Sequence, residues 1–449
     1  MTKQIKSLSR RDFFGKSAAI GALGAVSMGS ILNSCSSKKT IIPMGSQTFL
    51  DQAPDGTVLK AGLIGCGGRG TGAALDFLNS GPNLQIVALS DTFQDKLDAC
   101  RKKLKETKGV DIPDDKCFLG LDGYKKVLDA GVDLVIVATP PYFRPEHFRA
   151  AVEARKHCFI EKPVAVDPVG ARSIMTSAKK AETIGLTVVT GTQRRHQRDY
   201  VETYNQIKNG SIGDIVSANC YWNQSKLWHR DRQPAWSDME FMLRDWVNWT
   251  WLSGDHIVEQ HVHNLDVVHW FTGKFPVRAL GFGSRQRRVT GDQYDNFSVD
   301  YVYDNDVHVH STCRQINDCK NNVSELIRGT EGYTNCKNII YNPDGTVKWE
   351  YEYPKDETGK PSSKLMISPY LQEHIDMVTA IRTNKPIVEA EATAKSTLVA
   401  IMGRISAYTG KEITWDEMMA SDLQIGPKEL AMGDVDMKFE VPVPGSAPA

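Results

Sequence analysis

Short apolar runs alternate with longer amphipathic stretches over residues 58–190. Val58-Leu59-Lys60-Ala61-Gly62-Leu63-Ile64 reads as a strand, and residues 84–89, 133–138, 158–160 and 186–190 read as four more. After Asp133 the third run is wholly apolar, as expected for a parallel strand covered on both faces. Spacing of three to four predicts helices over residues 71–80, 145–156 and 168–182. This alternation predicts a doubly wound parallel sheet, whose ligands lie beyond the carboxyl ends of its strands. From about residue 214 the pattern changes. Residues 297–303 and 307–310 alternate with period two across the turn Asp304-Asn305-Asp306, and residues 215–222, 277–286, 323–329 and 347–353 also read as strands. Helices return at 370–384 and 392–410. The second half is therefore expected to be an α+β domain with a large, mainly antiparallel open sheet. The boundaries predicted are 58–195 for the first domain, 196–420 for the second and 421–449 for a C-terminal tail.

The N-terminus has a different character. Ser9-Arg10-Arg11-Asp12-Phe13-Phe14-Gly15-Lys16 carries twin arginines, and residues 17–32 are apolar but rich in Gly and Ala. That run falls short of the roughly eighteen residues that read as a membrane span. Leu32-Asn33-Ser34-Cys35 resembles a lipobox, whose cysteine is acylated. Residues 1–35 are thus expected to direct export by the twin-arginine route to the periplasm. The linker 36–57 would follow a lipid anchor at Cys35, the one membrane contact expected. A cofactor used there must be held tightly, because no nicotinamide pool exists outside the inner membrane. The 449 residues suit two or three domains, and 54 basic against 54 acidic residues exclude the cationic excess of a nucleic-acid clamp. Nine cysteines without a Cys-x-x-Cys pair write neither a zinc ribbon nor a dithiol redox site. The oxidising compartment permits disulfides among the eight beyond Cys35, but spacing pairs none of them.

The first strand runs into Gly65-Cys66-Gly67-Gly68-Arg69-Gly70 and then a helix, the G-x-G-x-x-G order in its required setting. Gly65 permits the tight turn, Gly67 lets backbone approach a pyrophosphate, and Gly70 lets helix pack on strand. The helix N-terminus offers unpaired N–H groups to the phosphates. The second strand ends at Asp91, twenty-one residues beyond Gly70, where an acid meets the adenosine ribose of a Rossmann domain. Its carboxylate repels a 2′-phosphate, and Thr92 and Phe93 supply no arginine, so NAD is favoured over NADP. Thr139-Pro140-Pro141, Glu161-Lys162-Pro163 and Gln193 fall at the ends of later strands. Six of the nine tryptophans (Trp222, Trp228, Trp236, Trp246, Trp249 and Trp251) lie within thirty residues, and such aromatic faces suit a sugar. In the segment that follows, His256, Glu259, His263 and Asp266 share one face if the segment is a single helix. Glu259 would then orient His263, which would pass a proton. No His-Glu-x-x-His order is present, so no metal site is assigned. His261 points off that face and is read as structural, as are His308 and His310 on one sheet face.

Together the glycine turn, Asp91, Glu161-Lys162-Pro163 and the Glu259, His263, Asp266 run resemble the Gfo/Idh/MocA oxidoreductases, the family of glucose–fructose oxidoreductase and inositol dehydrogenase. The likeness spans about residues 58–415. It implies that Gly65, Gly67, Gly68, Arg69, Gly70, Asp91, Thr139, Pro140, Glu161, Lys162 and Gln193 meet NAD. It also implies that Lys162 contacts the substrate hydroxyl and that His263 is the family's motif histidine. Glu259 stands where that motif usually has Asp, keeping the carboxylate on a longer arm. Arg195 and His196 would flank the substrate, joined by Trp222, Trp228, His256 and His263. Oxidation of a carbinol needs a proton acceptor: a lysine whose pKa is lowered by burial and a neighbouring cation, or a histidine near its ordinary value. The expected activity is hydride exchange between bound NAD and a sugar, glycoside or polyol, by a homo-oligomer if the open sheet face self-associates. The alternative is NAD-dependent glycoside cleavage through a transient keto-sugar. A non-catalytic sugar-binding lipoprotein is disfavoured, because it would need neither Lys162, Glu259 nor His263.

Overall fold

The computed structural model describes residues 49–445, so the twin-arginine segment, the apolar run and Cys35 lie outside the described residues. Six parallel strands form the first sheet: β1 (Leu59–Ile64), β2 (Leu84–Asp91), β3 (Cys117–Leu119), β4 (Leu134–Val137), β5 (His157–Ile160) and β6 (Val188–Thr190). Their order is β3-β2-β1-β4-β5-β6, so strand order reverses between β1 and β4. At such a switch point the strand ends diverge and leave a crevice. Register sets its walls. Ile64 pairs with Val137, and Val137 with Ile160, which brings the glycine turn, Thr139 and Glu161-Lys162 side by side. Helices cover both faces, and their starts follow local chemistry. Asp167 caps the helix Pro168–Thr183 by accepting from the Gly170 N–H, and Pro168 occupies the first turn, where a missing N–H costs nothing.

The second sheet has nine strands: β7 (Ile215–Gln224), β8 (Arg278–Ser284), β9 (Asn296–Val302), β10 (His308–Gln315), β11 (Asn322–Gly329), β12 (Gly332–Thr334), β13 (Ile339–Tyr341), β14 (Val347–Glu350) and β15 (Ile413–Thr414). Their order is β14-β13-β12-β11-β7-β10-β9-β8-β15, and only the β7–β10 pair is parallel. Phe297, Val299 and Tyr301 of β9 and Val309, Ser311 and Cys313 of β10 alternate inward, under the helices Val262–Thr272 and Ala390–Thr409. Leu280, Phe282, His308 and His310 point outward. The mixed, mostly antiparallel character agrees with the pattern read from sequence.

Several boundaries differ from expectation. Residues 421–445 are not a loose tail: Ile425, Leu430, Val435, Met437 and Phe439 pack on an apolar cluster around Trp249 and Trp251. Nor is residue 195 a clean division. The helix Pro369–Arg382 returns to the first sheet, where Ile375, Met377 and Val378 share a core with Leu63, Phe77 and Leu134. The segment just before β1 is pinned there too, with Arg382 donating to the Pro54 carbonyl at 2.6 Å. All eight cysteines beyond Cys35 are thiols rather than disulfides.

Candidate active site

The glycine turn forms one wall of a cavity of about 430 Å³ that also meets Asp91, Thr139 and Pro140. That size suits a largely enclosed small-molecule site. A side chain at Gly67 or Gly68 would meet nothing within 4 Å, so the open backbone there leaves room for a ligand. Gly70 is the opposite case: a Cβ would lie 1.9 Å from the Gly65 carbonyl oxygen. Gly70→Ala is expected to push the helix off β1, costing about 1–3 kcal/mol and weakening dinucleotide binding. Thermal melting with and without NAD checks this, and an unchanged melting point in both conditions would contradict it. Asp91 accepts the Cys66 N–H at 2.7 Å and the Phe93 N–H at 3.0 Å, locking the turn while leaving lone pairs for ribose hydroxyls. The residues present therefore fit a dinucleotide. Thr139 Oγ bonds His147 Nδ1 at 3.1 Å, and burial pushes His147 down to about 3, leaving a neutral ring.

The far wall of this cavity belongs to the second domain. Trp228, Arg230, Arg244 and Trp246 close over the side nearest Phe93 and Lys96. Arg244 stacks 3.9 Å from the Phe93 ring centroid and bridges Asp95 at 3.1 Å and Glu240 at 2.8 Å. The tryptophan-rich segment thus divides. Trp228 and Trp246 line the cavity, Trp236 lies over Arg244, and Trp249 and Trp251 are core. Trp222 alone of the six stacks on His263, with ring centroids 5.7 Å apart.

Lys162, at the end of β5, is the point where the domains meet chemically. Its Nζ donates to the Glu259 carbonyl oxygen at 2.5 Å and to the Glu259 carboxylate at 3.0 Å. A break in the helix makes this geometry. The expected single helix over 256–266 is instead one turn, His256–Glu259, followed by Val262–Thr272. At the junction the His261 N–H reaches back five residues to the His256 carbonyl at 3.1 Å, the mark of a π-type bulge. The His263 N–H then bonds the Gln260 carbonyl at 3.2 Å, so the Glu259 carbonyl is left for Lys162. The expected Glu259–His263 orientation does not form, because the bulge rotates Glu259 away and its second oxygen accepts from Gln260. Burial, then the charges of Lys162, Arg194 and Arg69, holds His263 well below its ordinary value. It is a neutral ring, not one near its natural pKa. The neighbour of Lys162 is a carboxylate, not the cation expected.

Three residues expected at the substrate are committed elsewhere. Arg195 is buried and bidentate to Asp266 at 2.8 and 2.9 Å. His196 is buried between Asp376 at 2.7 Å and Glu389 at 3.1 Å. Burial disfavours its imidazolium, but the Glu389 and Asp376 carboxylates outweigh that and raise its pKa. His256 is buried against Asp255 at 2.9 Å and Phe297, inside the second domain. Their correction has one cause: buried charges need partners, and these side chains found them in the core. Arg69 pairs with Glu161 and lies 4.8 Å from the Tyr370 ring centroid, while Gln193 reaches the Tyr370 hydroxyl at 3.4 Å. Tyr370, Arg194 and the Arg244 strap were missed from sequence, since no local pattern marks them. His261 bonds Ser311 at 2.6 Å in the core.

Comparison with known proteins agrees with this architecture. Residues 59–190 match the model of the oxidoreductase family with NAD-binding Rossmann fold, and residues 200–334 match the GFO/IDH/MocA C-terminal domain. Myo-inositol 2-dehydrogenase of Thermotoga maritima is 26% identical over 226 residues, 50% of this chain and 58% of that protein. Glycosyl hydrolase family 109 protein 4 of Phocaeicola vulgatus is 28% identical over 199 residues, 41% of this chain and 36% of that protein. The chain therefore spans less than two thirds of the length of these curated relatives. The crystal structure of scyllo-inositol dehydrogenase from Lactobacillus casei with bound NAD(H) and scyllo-inositol has a TM-score of 0.59 at 18% identity, covering 81% of this chain and 100% of that one, a likeness of fold. With both of its domains matched in order, the chain belongs to the Gfo/Idh/MocA oxidoreductases, with an NAD-binding Rossmann domain.

Proposed function

We propose that the protein moves a hydride between a carbinol carbon of a sugar, glycoside or polyol and a tightly held NAD. The observation that carries this reading is the seat of Lys162 on Glu259, beside neutral His263 and at the carboxyl edge of the dinucleotide crevice. NAD supplies the hydride acceptor or donor. Lys162 has two of its hydrogens directed at Glu259 and one left for a substrate oxygen. In oxidation its neutral amine takes the hydroxyl proton; in ketone reduction its ammonium returns one. Neutral His263 accepts or donates a hydrogen bond at the same oxygen and fixes the hydroxyl, and Trp222 supports the ring from behind. Asp91 selects NAD over NADP, and the strap from Trp228 to Trp246 retains it. We place the protein in the periplasm on the strength of its twin arginines and lipobox, anchored at Cys35. Leu280 and Phe282, apolar and outward on β8, are the contact surface offered for self-association.

The test is direct. Nucleotide released by denaturing the purified protein should be NAD, about one per chain, and adding substrate sugars to the folded protein should raise nicotinamide absorbance. Failure to take up any nicotinamide dinucleotide would end this reading. A second reading, glycoside cleavage with no net redox change, is favoured by the closed strap and by the likeness to a glycosyl hydrolase. Aglycone release without lasting reduction of NAD would select it.

A further inference from the structure

The helix Arg144–Glu153 begins on a cation. That end of a helix disfavours one, because the first turn carries the positive pole of the helix dipole. Arg144 is also almost wholly buried, at 4% exposure. Elsewhere around the crevice a buried or half-buried arginine meets a carboxylate: Arg69 at Glu161, Arg194 at Glu325 and Arg195 at Asp266. Arg144 forms no ion pair among the described residues, and the carboxylates whose field it feels, Glu161 and Glu259, bond Arg69 and Lys162 instead. Burial pushes its guanidinium down to about 10, with those two acids opposing, so it stays charged in the neutral range. A placement that breaks local preferences in this way is characteristic of a functional position.

Three backbone carbonyls hold this charge. Nε donates to the Thr139 carbonyl at 2.8 Å, and Nη1 donates to the Glu161 carbonyl at 3.1 Å and the Pro163 carbonyl at 2.6 Å. These carbonyls lie just beyond the ends of the paired strands β4 and β5, and Glu161 and Pro163 stand on either side of Lys162. The same helix supplies His147, which bonds the Thr139 hydroxyl at 3.1 Å. Glu161 is held at its other groups too, its N–H by the Val137 carbonyl at 2.9 Å and its side chain by Arg69. Lys162 is therefore fixed at both ends. Glu259 of the second domain holds its Nζ, and Arg144 of the first domain holds the backbone from which it springs. A planar guanidinium suits that task, because its N–H donors are spread around a rigid fork.

We propose that Arg144 is a positioning residue for hydride transfer, setting the aim of Lys162 through the carbonyls on either side of it and tying them to Thr139 at the end of the neighbouring strand. The inference rests on the sugar-oxidoreductase reading above and adds to it a residue that sequence spacing did not mark. Arg144 stands outside the residues that line the dinucleotide cavity, so its effect on the chemistry passes through Lys162.

A double-mutant cycle with Lys162→Ala, read by single-turnover nicotinamide absorbance on the NAD-loaded protein, tests it. With Lys162 present, Arg144→Gln should slow hydride transfer by at least about tenfold, since a displacement of about 1 Å near a reacting group lowers rates by up to about a hundredfold. With Lys162 already replaced by alanine, the same substitution should change the residual rate by less than about threefold, because no amine remains to be aimed. NAD content at the parent level confirms the fold of every protein in the cycle. An arginine with a structural role alone would slow both backgrounds alike, and that result would overturn the proposal. So would an Arg144→Gln rate within about threefold of the parent. Should glutamine leave the chain unable to fold, Arg144→Lys, which keeps the buried charge but not the planar fork, takes its place in the cycle with the same expected outcomes. Equal losses in both backgrounds would leave intact a protein that holds NAD and reduces it with sugars. A parent protein that takes up no NAD would instead overturn the oxidoreductase reading, and the role of Arg144 with it.

Discussion

Lys162→Ala is expected to slow hydride transfer by about a hundredfold or more while NAD stays bound. Lys162 stands outside the glycine turn and Asp91, so the dinucleotide keeps its cradle when the amine is lost. What disappears is the group placed to exchange a proton with the substrate oxygen, and His263 is too weak a base to take its place. Its pKa is held far below the usual imidazole range by burial and by the cations Lys162, Arg194 and Arg69, so in the neutral pH range it is unprotonated, a poor proton acceptor in oxidation and without a proton to return in reduction. The same sign predicts that the pH–rate profile has no break near the ordinary histidine value from His263. Single-turnover nicotinamide absorbance on the NAD-loaded variant makes the measurement. A rate within a few fold of the parent would remove Lys162 from the chemistry.

Asp266→Ala is expected to destabilise the fold by about 3–5 kcal/mol, the usual cost of leaving one partner of a buried ion pair alone. Arg195 and Asp266 are both almost wholly buried, with side-chain exposures of 6% and 2%. Asp266 also accepts from Ser396 at 2.8 Å, and the Arg195 guanidinium lies 5.3 Å from the Trp270 ring centroid. Removing the carboxylate takes away the acceptors of two guanidinium N–H groups at a buried position, where water does not readily replace them. Replacing both residues by apolar side chains of similar volume should recover much of the loss, because no unpaired charge then remains. Urea unfolding of the two variants tests both statements. A single-variant loss below about 1 kcal/mol would show that water reaches the site.

The helix break at 260–261 shows where reading by residue succeeds and where it stops. Spacing grouped Glu259, His263 and Asp266, whereas the fold keeps Glu259 and His263 by Lys162 and turns Asp266 to Arg195 in the interior. That the helix carries a bulge does not follow from spacing: the extra residue is stabilised by long-range contacts, Gln260 with Gln315 and His261 with Ser311. A uniform period of 3.6 placed Glu259 under His263, and one displaced residue turned it to Lys162 instead. The tryptophans repeat the lesson. Their density marked a region of interest, but which ones line a cavity depends on residues 421–445 covering Trp249 and Trp251.

Local spacing carried the doubly wound sheet, the glycine turn, Asp91, Lys162 and the mainly antiparallel second sheet, because alternation and turn chemistry operate within windows of a few residues. Pairings between distant positions were outside its reach. Lys162 meets Glu259 across 97 positions, Arg244 meets Asp95 across 149, and His196 meets Asp376 across 180. Each pairing joins residues that come together only in the folded chain, far outside any window of local spacing. Only the folded arrangement decided that Arg195, His196 and His256 serve the interior while Lys162 and His263 meet beside the crevice.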